Sequence, residues 1–139
     1  MSSDSVWSLY TDGACRGNPG NGGAGAVLFD GKGATVITAN RFLGLCTNNE
    51  AEYKALILGL EEALKGGYKR LHIFLDSELL VRQVKGVYRV KNERLKKLME
   101  DVRHLLSLLE EYTIEHVMRD KNSIADRLAN EAIDTALKQ

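Results

Sequence analysis

The spacing of hydrophobic positions changes along this chain. Residues 6–12, VWSLYTD, are β-branched and aromatic and end at a turn signal, which predicts a first strand. Residues 13–25 hold six of the thirteen glycines and the single proline, Pro19. They predict a loop that bends tightly and lets another backbone come close. AVLFD (26–30) and ATVITANRF (34–42), split by a Gly31-Lys32-Gly33 turn, continue as an antiparallel meander. From Asn49 to Lys65 the residues Tyr53, Leu56, Ile57, Leu60, Ala63 and Leu64 recur at helical spacing, and Gly66-Gly67 stops the helix. LHIFLD (71–76) is too short for a helix and reads as a buried strand, and 77–86 reads as a short helix. Over 92–111, Leu95, Leu98, Met99, Val102, Leu105, Leu106 and Leu109 form one apolar stripe. YTIEHV (112–117) is a fifth strand and 123–137 a last helix.

Strands that meander and then alternate with helices predict an α/β fold, a five-stranded mixed sheet flanked by helices. The 139 residues suit a single domain, and no repeat or low-complexity linker marks a second. No run approaches the roughly 18 apolar residues of a membrane span, and MSSDSVW lacks the pattern of a signal segment. The expectation is a cytoplasmic protein that does not engage a membrane. Nineteen basic and nineteen acidic residues cancel, so any phosphate contact must come from local charge. Cys15 and Cys46 form no CxxC pair and read as reduced thiols.

Four acids fall at element ends. Asp12 ends the first strand and Asp76 the fourth, Glu52 lies in the first turn of the first long helix, and Asp126 opens the last. Strand ends and helix starts are where sites form in open α/β sheets. Grouped carboxylates repel and raise one another's pKa unless a cation neutralises them. Oxygen donors without Cys or His suit Mg²⁺ or Mn²⁺. Two such ions about 4 Å apart can activate a water and stabilise the leaving oxygen of a phosphodiester. Taken singly, Glu52 and Asp126 would also favour their helix N-termini through the dipole. The metal-site reading rests on the set of four.

YTDGACRGNPGNGGAGAVL (10–28), TNNEAEYKALILGL (47–60), LDSELLVRQVKG (75–86) and ADRLANEA (125–132) together resemble type 1 ribonuclease H, in that family's order and over nearly the whole chain. The resemblance implies the RNase H-like fold, with strands 1–3 antiparallel and strands 1, 4 and 5 parallel. It implies hydrolysis of the RNA strand of RNA–DNA hybrids with two Mg²⁺ ions per site, Mn²⁺ being an alternative, to give 5′-phosphate and 3′-hydroxyl ends. The family's catalytic, metal-binding carboxylates fall on Asp12, Glu52, Asp76 and Asp126. Substrate contacts fall on the Gly13–Gly20 loop, with Gly13, Cys15 and Asn18, where a backbone can read the 2′-hydroxyl. They also fall on Thr47, Asn48 and Asn49 before the Glu52 helix, and on Ser77. Thr47 or Asn48 could serve as a helix cap as well.

Between Arg82 and Lys97 lie seven basic residues and one acid, Glu93. That asymmetry suits a surface tracking the DNA strand, with Arg82, Lys85 and Lys91 as contacts and Tyr88 packing either on a sugar or on the core. The partner that the resemblance implies is an RNA–DNA hybrid, and the expected state is a monomer. Gly86 to Glu93 leaves no room for the basic protrusion of well-studied bacterial members. The loop Arg119–Ser123 lacks the histidine that often precedes the last aspartate. His116 reads as part of the fifth strand, and His72 and His104 as surface residues. Gly20–Gly25 matches GxGxxG, but a strand follows it where a dinucleotide site needs a helix. Alternatives are cleavage of double-stranded RNA as well, a non-catalytic hybrid-binding module, and a transposase or integrase core. The presence of all four acids argues against the module, and the TDGACRGNPG and TNNEAEY segments argue against the core.

Overall fold

The computed structural model describes residues 5–138. The chain runs β1 (Trp7–Gly17), β2 (Gly20–Phe29), β3 (Thr35–Cys46), α1 (Asn48–Lys65), β4 (Arg70–Leu75), α2 (Glu78–Val84), α3 (Glu93–Ser107), β5 (Glu111–His116), a 3-10 turn (Arg119–Lys121) and α4 (Ser123–Leu137). The sheet order is β3-β2-β1-β4-β5. The β1–β2 and β2–β3 pairs are antiparallel, and β1–β4 and β4–β5 are parallel, as expected.

The glycine-rich segment departs from expectation, because it is strand rather than loop. β1 and β2 stay paired from Ser8↔Phe29 to Gly17↔Gly20, so only Asn18 and Pro19 turn. Gly17 makes that turn with a φ of 101°. Gly13, Gly23 and Gly25 serve helix packing. A Cβ on Gly13 would strike the Ala51–Glu52 backbone of α1, and one on Gly25 would strike the Ala125 carbonyl of α4. Gly13 pairs with Ala24 and Asp12 pairs with Gly25, so Gly13 and Gly25 lie on adjacent rungs of the ladder. Successive rungs face opposite sides, which puts α1 and α4 on opposite faces of the sheet.

On the α1 face the core joins Leu9, Leu28, Leu71, Ile73 and Leu75 of the sheet to Tyr53, Leu56 and Leu60 of α1 and to Leu95, Met99, Val102 and Leu106 of α3. In β4, Leu71, Ile73 and Leu75 are buried while His72 is exposed, the alternation expected of a strand packed mainly on one face. On the opposite face Tyr10 stacks on Phe74 at 4.8 Å between centroids. α3 ends at Ser107 instead of 111. The Glu110 and Glu111 N–H groups donate to the Lys69 carbonyl, so strand pairing takes over where the helical stripe would have continued. Leu109 still packs on the core from outside the helix.

Candidate active site

The site forms where β4 stops and β1 continues. β4 pairs with β1 only as far as Thr11↔Leu75, while β1 runs on to Gly17. Asp12 therefore does not end its strand; what ends there is the strand's partnership with β4. The backbone groups beyond must find other partners. The Thr11 carbonyl accepts from Asn122 Nδ2 (2.9 Å), and the Gly13 N–H donates to Glu52 Oε1 (2.6 Å). Glu52 opens the second turn of α1 rather than sitting in its first, because the helix begins at Asn48. Asp76 is the first residue past β4. Asp126 lies in the first turn of α4, its N–H donating to the Asn122 carbonyl (3.1 Å).

One carboxylate oxygen from each of Asp12, Glu52 and Asp76 lies within 4.8 Å of the others. Asp126 stands at the rim, within hydrogen-bonding reach of Asp12, and Asn130 Nδ2 donates to its carbonyl (3.0 Å). Asp12 is only 6% exposed. Burial, followed by the charge of Glu52, pushes its carboxyl far above the usual range. Burial also raises Glu52, against the opposing pull of Asp12, the Gly13 N–H and the positive charge of Arg119. Burial thus favours the protonated form of both groups, most of all Asp12, until a cation displaces the proton. Clustered oxygen donors, with no imidazole or thiolate among them, fit a hard divalent cation such as Mg²⁺ or Mn²⁺.

The four carboxylates line a cleft of about 420 Å³ together with Gly13, Cys15, Asn48, Asn49, Ser77 and Arg119. Asn18 and Thr47 instead border a neighbouring cleft of about 620 Å³, shared with Asn48, Asn49, Asn92 and Arg94. Asn18 Oδ1 accepts the Asn48 N–H (3.1 Å), which ties the hairpin tip to the start of α1. Thr47 does cap α1. Its hydroxyl accepts from Glu50 N–H (3.2 Å), and Glu50 Oε1 accepts from Thr47 N–H (2.9 Å), the reciprocal capping box. Ser77 caps α2 by accepting from Leu80 N–H (3.2 Å). The Cys15 thiol turns into the sheet, donating to the Cys46 carbonyl (3.0 Å), and both cysteines are free.

Arg82, Lys85, Tyr88 and Lys91 lie outside the carboxylate cleft. Arg82 pairs with Glu78 (2.8 Å) and sits 5.4 Å from the Tyr88 ring centroid. Lys96 pairs with Glu93 (3.1 Å). The other five basic residues of the run are exposed and make no ion pair among the described residues. Two site residues escaped the sequence reading, Arg119 beside Glu52 and Asn122 beneath Asp76. Arg119 stands in the loop that lacks the expected histidine, and its charge was the available signal.

Comparison with known proteins agrees with this geometry. Residues 10–132 match the family model described as reverse transcriptase-like. Ribonuclease HI of Halobacterium salinarum is 41% identical over 127 residues, 91% of this chain and 64% of that protein. A bifunctional protein of Mycobacterium tuberculosis, Rv2228c, is 42% identical over 129 residues, 92% of this chain and 35% of that protein. The chain thus spans under two-thirds of the first relative and about a third of the second. Among solved structures, LC11-RNase H1 in complex with an RNA/DNA hybrid is 43% identical with a TM-score of 0.89, covering 94% of this chain and 99% of that one. The mixed sheet and its flanking helices are the RNase H-like fold. Within that class, the chain belongs to the type 1 ribonuclease H family.

Proposed function

We propose that this protein is an endoribonuclease that hydrolyses the RNA strand of RNA–DNA hybrids, leaving 5′-phosphate and 3′-hydroxyl ends. The observation that carries this is the convergence of Asp12, Glu52 and Asp76 beside Asp126, in a cleft bordered by Gly13, Asn48 and Asn49. The hybrid bound to LC11-RNase H1 supports the choice of substrate. Asp12, Glu52, Asp76 and Asp126 would hold two Mg²⁺ ions, with Mn²⁺ as a substitute. Such ions, when bound, supply the charge that activates a water and stabilises the leaving oxygen.

The chain's own residues do the rest. The Gly13 N–H fixes Glu52, and Arg119 sets a positive charge in a cleft that a phosphate must enter. The hairpin, through Gly13, Cys15 and Asn18, follows the minor groove, where the 2′-hydroxyl separates RNA from DNA. Thr47, Asn48, Asn49 and Ser77 present hydroxyl, amide and backbone donors at helix starts, suited to phosphate. Lys85, Arg89, Lys91, Arg94 and Lys97 keep their charge for the DNA strand, whereas Arg82 is engaged with Glu78 and Tyr88. Residues 1–139 act as one ribonuclease H domain without a basic protrusion, in the cytoplasm and as a monomer. Among the described residues no helix is long and apolar enough to cross a membrane.

The test is cleavage of one end-labelled RNA strand paired with DNA, with RNA, or unpaired, with Mg²⁺, Mn²⁺ or chelator. Metal-dependent cutting of the hybrid alone is expected. Failure of the folded protein to cut with either metal would overturn the reading in favour of a binding module. Cutting of the RNA duplex as well would widen the substrate class.

A further inference from the structure

Asn122 immediately precedes α4, at the N-cap position. An asparagine there ordinarily turns its side chain back to accept from the first helical N–H groups. This one makes no such bond. It is 1% exposed, and its Nδ2 donates to the Thr11 carbonyl (2.9 Å) and to Asp76 Oδ2 (3.1 Å). Both partners are acceptors, so the amide must face them with its nitrogen. Its Oδ1 has no hydrogen-bond partner among the described residues. A buried amide that forgoes its cap and leaves its oxygen unpaired needs a compensating role.

Asp76 supplies that role. It lies one residue past β4, where the sheet no longer holds it, and it faces Asp12 and Glu52, which repel it when they are charged. Asn122 Nδ2 holds Oδ2 without bringing a charge into the cluster. The carbonyl of the same residue accepts the Asp126 N–H. One residue thus ties β1, the end of β4 and the start of α4 together at three points.

We infer that Asn122 is a positioning residue that holds Asp76 in register with Asp12 and Glu52, so that the carboxylates can share a cation. This rests on the metal-site reading above. The test is Mn²⁺ binding to the metal-free protein by calorimetry, with folding checked by circular dichroism, for wild type, Asn122→Ser and Asp12→Asn. Serine is a good N-cap, so Asn122→Ser keeps the helix start and removes the side-chain amide that reaches Asp76 and the Thr11 carbonyl. Mn²⁺ affinity and kcat on a labelled hybrid should each fall about 10-fold or more in Asn122→Ser, with KM for the hybrid little changed. Unchanged Mn²⁺ affinity and kcat in Asn122→Ser, with Mn²⁺ binding lost in Asp12→Asn, would overturn the inference and leave the site reading standing. Full Mn²⁺ binding by Asp12→Asn would overturn both. Should Asn122→Ser not fold, ¹⁵N-labelled wild type gives a second measurement. Its Asn122 side-chain amide should be protected from solvent exchange and shift on Mg²⁺ addition. An amide exchanging at the solvent rate and unmoved by Mg²⁺ would overturn the inference.

Discussion

Two helix starts deliver carboxylates to this site, and they are built on different terms. α1 begins on Thr47 with both halves of a capping box in place, then presents Glu52. α4 begins on Asn122 with no side-chain cap, then presents Asp126. Each rests on a side-chain-free residue of the same hairpin, Gly13 beneath α1 and Gly25 beneath α4, on opposite faces of the sheet. The capping box of α1 lies within residues 47–50, and Asn18 adds a tertiary tie at the Asn48 N–H. The start of α4 is completed by tertiary partners, the Thr11 carbonyl and the Asp76 carboxylate. Stability and catalysis should therefore separate at the first start and be coupled at the second.

The sharpest break between the two is in the carboxylates themselves. Glu52 belongs to the cluster held within 4.8 Å, whereas Asp126 stands at its rim. Glu52→Gln should cut kcat on a labelled hybrid by about 1,000-fold or more, because it removes several kcal/mol of metal-borne stabilisation. Asp126→Asn should lose less, about 10- to 100-fold, as expected of a ligand that reaches an ion from the rim of the cluster. Equal losses in saturating Mn²⁺ would erase the distinction.

The glycines test what the helices rest on. Gly13→Ala and Gly25→Ala should each lower stability by about 3 kcal/mol in urea unfolding, since the new methyl group meets backbone that cannot swing away. The two variants should differ in activity per folded molecule. A methyl group at Gly13 presses on Glu52 itself, and one at Gly25 presses on Ala125, next to Asp126. Stability unchanged in either variant would mean that its helix does not lie as close as the structure places it.

The same contrast explains what was legible in the sequence. The strand and helix periods mark the five strands and the helices, because each period is written into a few consecutive residues, whereas the full pairing of the strands comes from the motif resemblance. Thr47 and Glu50 spell a helix start locally, and that start held to within one residue. The four acids stand out through expected places at element ends, which the structure keeps for Asp76 and Asp126 but not for Asp12 and Glu52, and the motif resemblance supports the set. The glycines were misread as a loop because glycine in a local window signals a turn. Here the small residues make room for Ala51 and Ala125, which arrive from 38 and 100 residues further along the chain. Asn122 looked like part of a loop before a helix, and only the fold shows it reaching Thr11 and Asp76, 111 and 46 residues away.

Proton linkage in the metal-free protein provides a further test of the cluster. Asp12 is raised above its ordinary 3.8 by burial and by Glu52, so the native state keeps a proton that the unfolded chain has released. Stability of the metal-free protein should then fall as pH rises from about 4 toward the raised folded value. Asp12→Asn removes that proton, so the variant should be more stable than wild type near pH 8, with the gap closing toward pH 4. Mn²⁺ should stabilise the wild type and leave Asp12→Asn little changed. A gap that stayed constant with pH, measured by urea unfolding in chelator, would show that Asp12 carries no such proton.

The smallest effect belongs to the cap of α1. Thr47→Ala removes the acceptor for Glu50 N–H and should cost about 1 kcal/mol in urea unfolding. Glu52 is anchored separately by the Gly13 N–H, four residues into the helix, so loss of the cap should fray the first turn without moving that carboxylate. Because Thr47 also borders the cleft beside Asn18 and Asn48, KM for the hybrid should rise while kcat falls less than in Asn122→Ser. That pattern is the inverse of the one expected at Asn122, where kcat falls and KM holds. If Thr47→Ala lowered kcat as far as Asn122→Ser does, the start of α1 would be as dependent on the site as that of α4, and the contrast between them would fail.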